Sequence, residues 1–386
     1  MCPALMATIQ RKKGNRSGYT TGACAAAAAR AAALGLLEGR VPDQVACLLP
    51  NGQQVQFSVA EGCLGERLQD EPLTCTGTVA HAVIIKDAGD DPDVTHRAAM
   101  SADLRPLPDQ PNRVVLKGGE GVGVVTKLGL GLEIGAPAIN PVPRANIEEN
   151  VRAVAAPYLE KCGIEVTISV PGGDELAKRT LNPRLGIVGG ISILGTSGIV
   201  HAYSTSAFRA SVEQHIEVAA KQGLSTMVLT TGGRTERFTQ AQLPHLHEAC
   251  FVQMGDFLQP ALEAVVKAGI PHVVIGGMVG KLMKMAQGER NTHAGRNPVN
   301  MGLVAQIAAE VGAPAAVCDE IRRAETARFA SDCMAELGLS LPFYDNLAQR
   351  VVQTLTQRYA GRFTLRILVC DFEGNKVTEA QGGYHG

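Results

Sequence analysis

From about residue 205 onward, short apolar runs alternate with helix-length amphipathic stretches, and this alternation restricts the fold more than any other feature of the 386 residues. Thr226–Thr230, Ala249–Met254 and His272–Ile275 read as short buried strands. Ala207–Gln222, Phe257–Ala268 and the stretch from Gly276 to about Gln287 read as helices, as do 299–311, 319–336 and 345–360. A last strand is expected over Phe363–Val369, with Asp371 at its end. Repeated strand–loop–helix units predict a parallel, Rossmann-like α/β sheet covered on both faces. Ligands of such sheets sit beyond the carboxyl ends of the strands. Three of these ends carry polar or glycine-rich loops: Gly232-Gly233-Arg234, Gly255-Asp256 and Gly276-Gly277. Asp256 follows Gly232 by about 24 residues, near the spacing that places a carboxylate on a ribose hydroxyl. The loop is not GxGxxG, so plain tight turns compete with an adenosine-type cofactor site.

The preceding residues read differently, as an α+β domain with a mixed or antiparallel sheet, which gives domains 1–204 and 205–386. Arg11, Lys12, Lys13 and Arg16 before an Ala-rich run mimic a signal peptide. Arg30 splits the run, and Ala is too weakly hydrophobic for a membrane span, so Ala23–Leu37 is expected as a capped soluble helix ended by Gly35 or Gly39. Thr20 or Thr21 can cap its first turn. The free N–H groups there, beside Thr hydroxyls and Gly22, also suit an anion. Val45–Leu49 and Val55–Val59 flank Asn51-Gly52 as a hairpin. Thr74–Ile85, Arg113–Lys117 and Ile164–Val170 also look extended. The glycines of Gly118–Lys127 imitate a phosphate loop but lack the Gly-Lys-Ser/Thr ending, which leaves a backbone-approach loop or tight hairpin. Ala138–Arg144 holds two Pro and is rigid and extended, with Arg144 at the entry of a helix over Ile147–Leu159.

Lys86-Asp87-Ala88-Gly89-Asp90-Asp91-Pro92-Asp93-Val94-Thr95-His96 crowds four carboxylates onto one loop. Gly89 and Pro92 bar a regular helix there. Such crowding calls for a cation, bound protons or solvent, and a solvated acidic turn would meet the need as well as a site. His201, His245, His247 and His293 each stand alone, as hydrogen-bonded structural histidines commonly do. The ten Cys are scattered with no CxxC pair, which argues against a four-cysteine zinc site and fits reduced thiols in a cytoplasmic protein. A net charge of −1, 4% aromatics and no Trp leave neither a basic footprint nor a stacking platform for nucleic acid.

Taken in order, several blocks resemble one family. Ser17-Gly18-Tyr19-Thr20-Thr21-Gly22-Ala23-Cys24-Ala25-Ala26 is similar to the opening signature of cobalt-precorrin-5B C-1-methyltransferases, the CbiD proteins of anaerobic corrin-ring assembly. Lys86–Thr95 resembles a second block, and Gly119–Gly123 with Ala138–Arg144 a third. Leu181–Thr196 resembles a fourth, with shorter likenesses at Gly280-Lys281 and Thr292-His293. The chain departs from the pattern at Leu128 (usually Pro), Ser197 (usually Thr) and Ala294 (usually Ser).

The resemblance implies methyl transfer from S-adenosylmethionine to C-1 of a cobalt-containing tetrapyrrole. The cobalt arrives inside the substrate, so no protein-bound metal is expected. Asp256, Gly232, Gly233 and Arg234, with Gly276 and Gly277, would hold the donor. Thr20, Thr21, Gly22, Arg144 and Lys281 would meet the substrate's carboxylates. Asp87, Asp90, Asp91 and Asp93 would contact ring nitrogens through water, stabilise the sulfonium or supply a base, with His293 as the other candidate base. No nucleic-acid or membrane partner is expected, and a homo-oligomer stays open. Two rival classes remain. One is a magnesium-dependent phosphoryl-transfer or hydrolytic enzyme using the acidic loop. The other is a non-catalytic corrinoid-binding protein.

Overall fold

An Ala-rich helix can be buried on every side, because its small side chains let neighbours approach closely from all directions. That helix organises the first of the two compact units into which the chain divides after Ser204. The computed structural model describes residues 16–65, 79–202, 204–293 and 298–383. The basic residues 11–13, Cys2, Cys75, the start of the Thr74–Ile85 run and Ala294 lie outside the described residues.

In the first unit β1 (Gly18–Tyr19) leads into α1 (Thr21–Glu38). Ala23–Ala29 and Ala31–Ala33 are at most 1% exposed, so the run forms the core rather than a surface helix. Gly39, with φ 73°, ends it in the left-handed cap that glycine adopts without strain. Gly35 stays inside the helix, where an added Cβ would press on Val41. β2 (Gln44–Leu48) and β3 (Gln54–Ser58) form the expected hairpin, turning at Gly52. β4 (Glu61–Leu64), β5 (Ala80–Ile85), β6 (Ala99–Leu107) and β7 (Val114–Gly118) follow, then β8 (Val124–Val125) and α2 (Pro141–Leu159). β9 (Gly163–Ser169) completes a five-stranded sheet in the order β4-β5-β6-β9-β7, antiparallel except for β7 beside β9. After α3 (Gly173–Ala177) and α4 (Asn182–Leu185), β10 (Ile187–Val188) pairs with β8 and β11 (Ile199–Val200) with β1. The glycine-rich 118–127 segment is therefore a tight ribbon. Backbone contact explains its glycines, since a Cβ at Gly121 would overlap the Val170 carbonyl.

The second unit opens with α5 (Thr205–Lys221) and β12 (Thr226–Thr230). α6 (Gly233–Gln242), β13 (Phe251–Gln253), α7 (Leu258–Ala268), β14 (His272–Gly277) and α8 (Val279–Ala286) continue the alternation. Four helices follow, α9 (Met301–Glu310), α10 (Ala315–Arg323), α11 (Ala327–Glu336) and α12 (Ser340–Arg358), before β15 (Thr364–Cys370) and β16 (Lys376–Gly383). The sheet order is β13-β12-β14-β15-β16, parallel through β15. β16 is an antiparallel edge strand that the sequence reading missed. Its run Lys376–Gly383 is largely polar and glycine-ended, with little apolar alternation to mark it.

The two faces of this sheet are unequal. Met227, Leu229, Val273, Ile275, Leu365 and Ile367 point into a large core shared with α5, α7, α8 and the C-terminal helices. The intervening Val228, Val274 and Leu368 meet a small cluster with Phe238 and Leu243 of the α6 region. One helix thus covers a face that the opposite side covers with many, and one groove is left beside α6 and another beyond its C-terminal end. Among the described residues, no helix is long and apolar enough to cross a membrane.

Candidate active site

The acidic loop leaves β5 and is stitched to the segment before α1. The Arg16 guanidinium forms a two-pronged pair with Asp87, and its backbone N–H donates to Asp90 Oδ2 at 2.9 Å. Tyr19 N–H donates to the Asp87 carbonyl at 2.7 Å. This close approach is why Gly18 and Gly89 (φ 66°) are glycine, since a Cβ at either would overlap the other segment's backbone. Lys86, 1% exposed, donates to Asp93 Oδ2 at 2.7 Å, and the N–H and hydroxyl of Thr95 both reach Asp93 Oδ1 at 2.7 Å. The crowded charges are thus answered largely by the protein's own cations. Arg16 holds the Asp87 carboxyl below the ordinary carboxylate range, aided by the Gly89 N–H. Burial pushes Asp93 up, but Lys86 and the Thr95 bonds outweigh it and leave the group lowered. Both are weakened as proton acceptors. Asp91 is half-exposed, its N–H 3.4 Å from the Ala88 carbonyl. His96 Nδ1 accepts from Ala88 N–H at 3.1 Å and braces the bend.

The start of α1 is closed. Thr20 Oγ1 accepts from Ala23 N–H at 3.1 Å, Thr21 Oγ1 accepts from Leu194 N–H at 2.9 Å, and Gly22 N–H donates to the Leu194 carbonyl at 3.0 Å. Thr20 and Thr21 are 7% and 4% exposed. The Leu181–Thr196 block therefore docks on these three residues, which fits them for building the unit rather than receiving an anion. Arg144 differs. It is half-buried in the first turn of α2, with no side-chain partner among the described residues.

In the second unit the chain runs from β12 outward to β13, then crosses back to β14 on the other side. The switch point lies between β12 and β14, the place where open α/β sheets take ligands. Two glycine pairs stand there. A Cβ on Gly276 would overlap Thr239 Cγ2, and one on Gly277 would come to 2.8 Å from Leu282 Cδ2, so these two glycines serve helix packing. Gly232 has no heavy atom within 4 Å of such a Cβ, and Gly233 has only Gln253 Nε2 at 3.9 Å. The Gly232 backbone, φ 161°, is extended and open to any residue. Neither packing nor conformation requires glycine at 232 and 233, and they leave free space beside the backbone where a ligand can approach.

Asp256, after β13, is ion-paired with Lys281 of α8. The sequence reading separated these two, one toward the donor and one toward the substrate, and the structure joins them. Lys281 Nζ also donates to the Thr292 carbonyl at 2.8 Å, which Lys284, one turn on, reaches at 3.3 Å. Burial and then Lys281 lower the Lys284 ammonium. Lys284 donates to the His293 carbonyl at 2.8 Å, and the exposed His293 gives its N–H to Asn291 Oδ1 at 2.9 Å. Near Gly233 the buried Glu236 accepts from Gln253 Nε2 at 2.7 Å. Arg234 extends toward the Phe372 carbonyl at 3.5 Å.

Sequence reasoning missed Arg16, Lys86, Lys284, Glu236 and Gln253. Only Lys86, inside the acidic block, had a local signal. A groove of about 550 Å³, lined by Thr226, His245, His272, Thr364, Arg366 and Gln381, lies at the amino ends of the strands, the wrong edge for this fold's usual ligands. His247 accepts from Ala249 N–H and caps a short helical turn. Among the described residues no group of three or more His, Cys, Asp or Glu is arranged to hold a metal ion.

An α+β unit joined to an open α/β unit, with bare glycines at its switch point, defines a mixed α/β protein of two compact units. The chain belongs to the CbiD family: the family profile described as CbiD matches residues 8–202, and that of the CbiD C-terminal domain matches residues 291–381. A cobalt-precorrin-5B C(1)-methyltransferase of Methylococcus capsulatus is 65% identical over 370 residues, covering 96% of this chain and 94% of that protein. One from Dechloromonas aromatica is 60% identical (96% and 92% covered), and one from Leptospira interrogans 44% (95% and 96%). A solved structure, the cobalamin biosynthesis protein cbiD of Archaeoglobus fulgidus, is 28% identical, with a TM-score of 0.38 over 72% of this chain and 81% of that one.

Proposed function

We infer that this protein transfers a methyl group from S-adenosylmethionine to C-1 of cobalt-precorrin-5B, within cobalamin biosynthesis. The observation that carries this reading is the 65% identity, across 96% of the chain, to a protein of that name. The site chemistry supports it. S-adenosylmethionine, when bound, supplies an electrophilic methyl on a sulfonium. The residues at the switch point fit such a donor: Gly232 and Gly233 leave the backbone bare, and the Glu236–Gln253 pair offers polar groups beside it. Asp256 supports this edge indirectly, through Lys281. In the first unit the half-buried Arg144 has the charge and freedom to bind a substrate carboxylate.

The main tasks of the chain are to orient two reactants and exclude water. Asp87 and Asp93, committed to Arg16 and Lys86, shape the loop. We propose Asp91 or His293 as the group that takes a proton as the ring's double bonds shift. The cobalt belongs to the substrate. The magnesium-dependent alternative loses its motive, since protein cations already balance most of the loop. We place the enzyme in the cytoplasm. The cysteines among the described residues are all unpaired thiols, as a reducing compartment keeps them.

Calorimetry with S-adenosylhomocysteine, with and without magnesium, tests the reading. Binding independent of magnesium, together with a product heavier by one methylene, is expected. Metal-dependent activity without donor affinity would overturn it, as would tight macrocycle binding with no product.

A further inference from the structure

We propose that the cleft between α6 and the turn joining β15 to β16 is a carboxylate subsite for the macrocyclic substrate, with Arg234 and Arg237 as its guanidinium ligands. The proposal rests on the methyltransferase reading above and adds a place for the substrate within the second unit. The cleft measures about 390 Å³ and is lined by Arg234, Arg237, Phe238, Ala241, Phe372 and Glu373. It exists because α6 alone covers its face of the sheet, so the flank toward β15 and β16 is left bare.

Its lining is chemically specific. Arg234 and Arg237, three residues apart on a helix, project from one side of it. Elsewhere in this unit Arg209, Arg322, Arg328, Arg350 and Arg366 are each paired with a carboxylate, while Arg323 and Arg358 donate to backbone carbonyls. Arg234 has only the 3.5 Å reach to the Phe372 carbonyl, and Arg237 has no side-chain partner among the described residues. Glu373 is the one acidic group in the lining, so the cleft carries a positive excess. Its apolar lining is the buried Phe238, the exposed Ala241 and the half-buried Phe372 ring, with the Arg328 guanidinium 4.6 Å from that ring's centroid. Two forked donors beside an apolar lining match an apolar ring edge that carries carboxylate arms. The volume, near the lower end for small-molecule pockets, suits one arm and the adjoining ring edge. Arg234 follows Gly233 directly, so the subsite adjoins the donor edge.

The methionine carboxylate of the donor is a second source of the same chemistry, and the experiment separates the two. R234Q, R237Q and the double variant of the full chain are assayed for steady-state turnover, with S-adenosylhomocysteine affinity measured by calorimetry. Both side chains are exposed, so melting curves should match wild type. The expected result is a KM for the macrocycle raised about tenfold in R237Q with donor-product affinity unchanged, raised further in the double variant, and partly recovered in R237K. An unchanged KM in the double variant overturns the subsite. Lost donor-product affinity with KM for the macrocycle intact also overturns it, by moving the cleft to the donor. An inactive wild type would instead overturn the methyltransferase reading and the subsite with it.

Discussion

The acidic loop after β5 and the carboxyl edge of the second sheet both stand out in the sequence, one by charge and one by glycine, yet the fold uses them in opposite ways. In the loop, Asp87, Asp90 and Asp93 are spent on Arg16 and Lys86, and Gly89 is fixed by backbone packed against backbone. At the sheet edge, Gly276 and Gly277 are packed against the Thr239 and Leu282 side chains, but Gly232 and Gly233 are not packed. A dense motif can be an internal joint, and a sparse one can be the open surface. What separates them is whether each group's partner is already supplied by the chain.

The strongest challenge to this contrast is Lys86→Ala. If the loop is an internal joint, removing the cation strands Asp93, and the protein should lose about 3 kcal/mol in urea unfolding, at the lower end for a broken buried pair because Asp93 is partly exposed. A loss of turnover at full stability would instead make the loop a site. Next comes Gly276→Ala, expected to cost about 1–3 kcal/mol by overpacking against Thr239. Gly232→Ala should leave the melting temperature unchanged and weaken S-adenosylhomocysteine by at least about tenfold, roughly 1.4 kcal/mol. If both alanine variants behave alike in both assays, the distinction between packed and open glycines fails.

The smallest effect is at acid pH. The Asp87 carboxyl is lowered in the folded protein, so its contribution is present above its unfolded value, near the ordinary 3.8, and fades as pH falls through the lower folded value. The group is largely exposed, which keeps the effect to a fraction of the total. In Arg16→Ala the Asp87 titration followed by NMR should move back up toward 3.8. No movement would show that Arg16 is not the cause.

Much of the fold was legible. The strand–helix alternation after residue 205 marked β12, β14, α5 and α7, and Asn51-Gly52 marked the β2–β3 hairpin, because local periodicity and turn chemistry act over a few residues. β16 was not, since an edge strand with one face in solvent needs little apolar pattern. The Ala23–Leu37 helix was evident, but its burial on all sides was decided by α2 and the sheet around it.

For the candidate site, the sequence by itself determined the family, the acidic block, the switch-point glycines and the presence of Arg144 and Lys281. Tertiary structure alone decided that Arg16 meets Asp87 across 71 residues, that Asp256 meets Lys281, and that Thr21 meets Leu194 across 173. The physical reason is range. Backbone preferences and side-chain spacing are written into neighbouring residues, whereas the pairing of a charge or hydroxyl depends on which distant segment the packed core brings within hydrogen-bond reach.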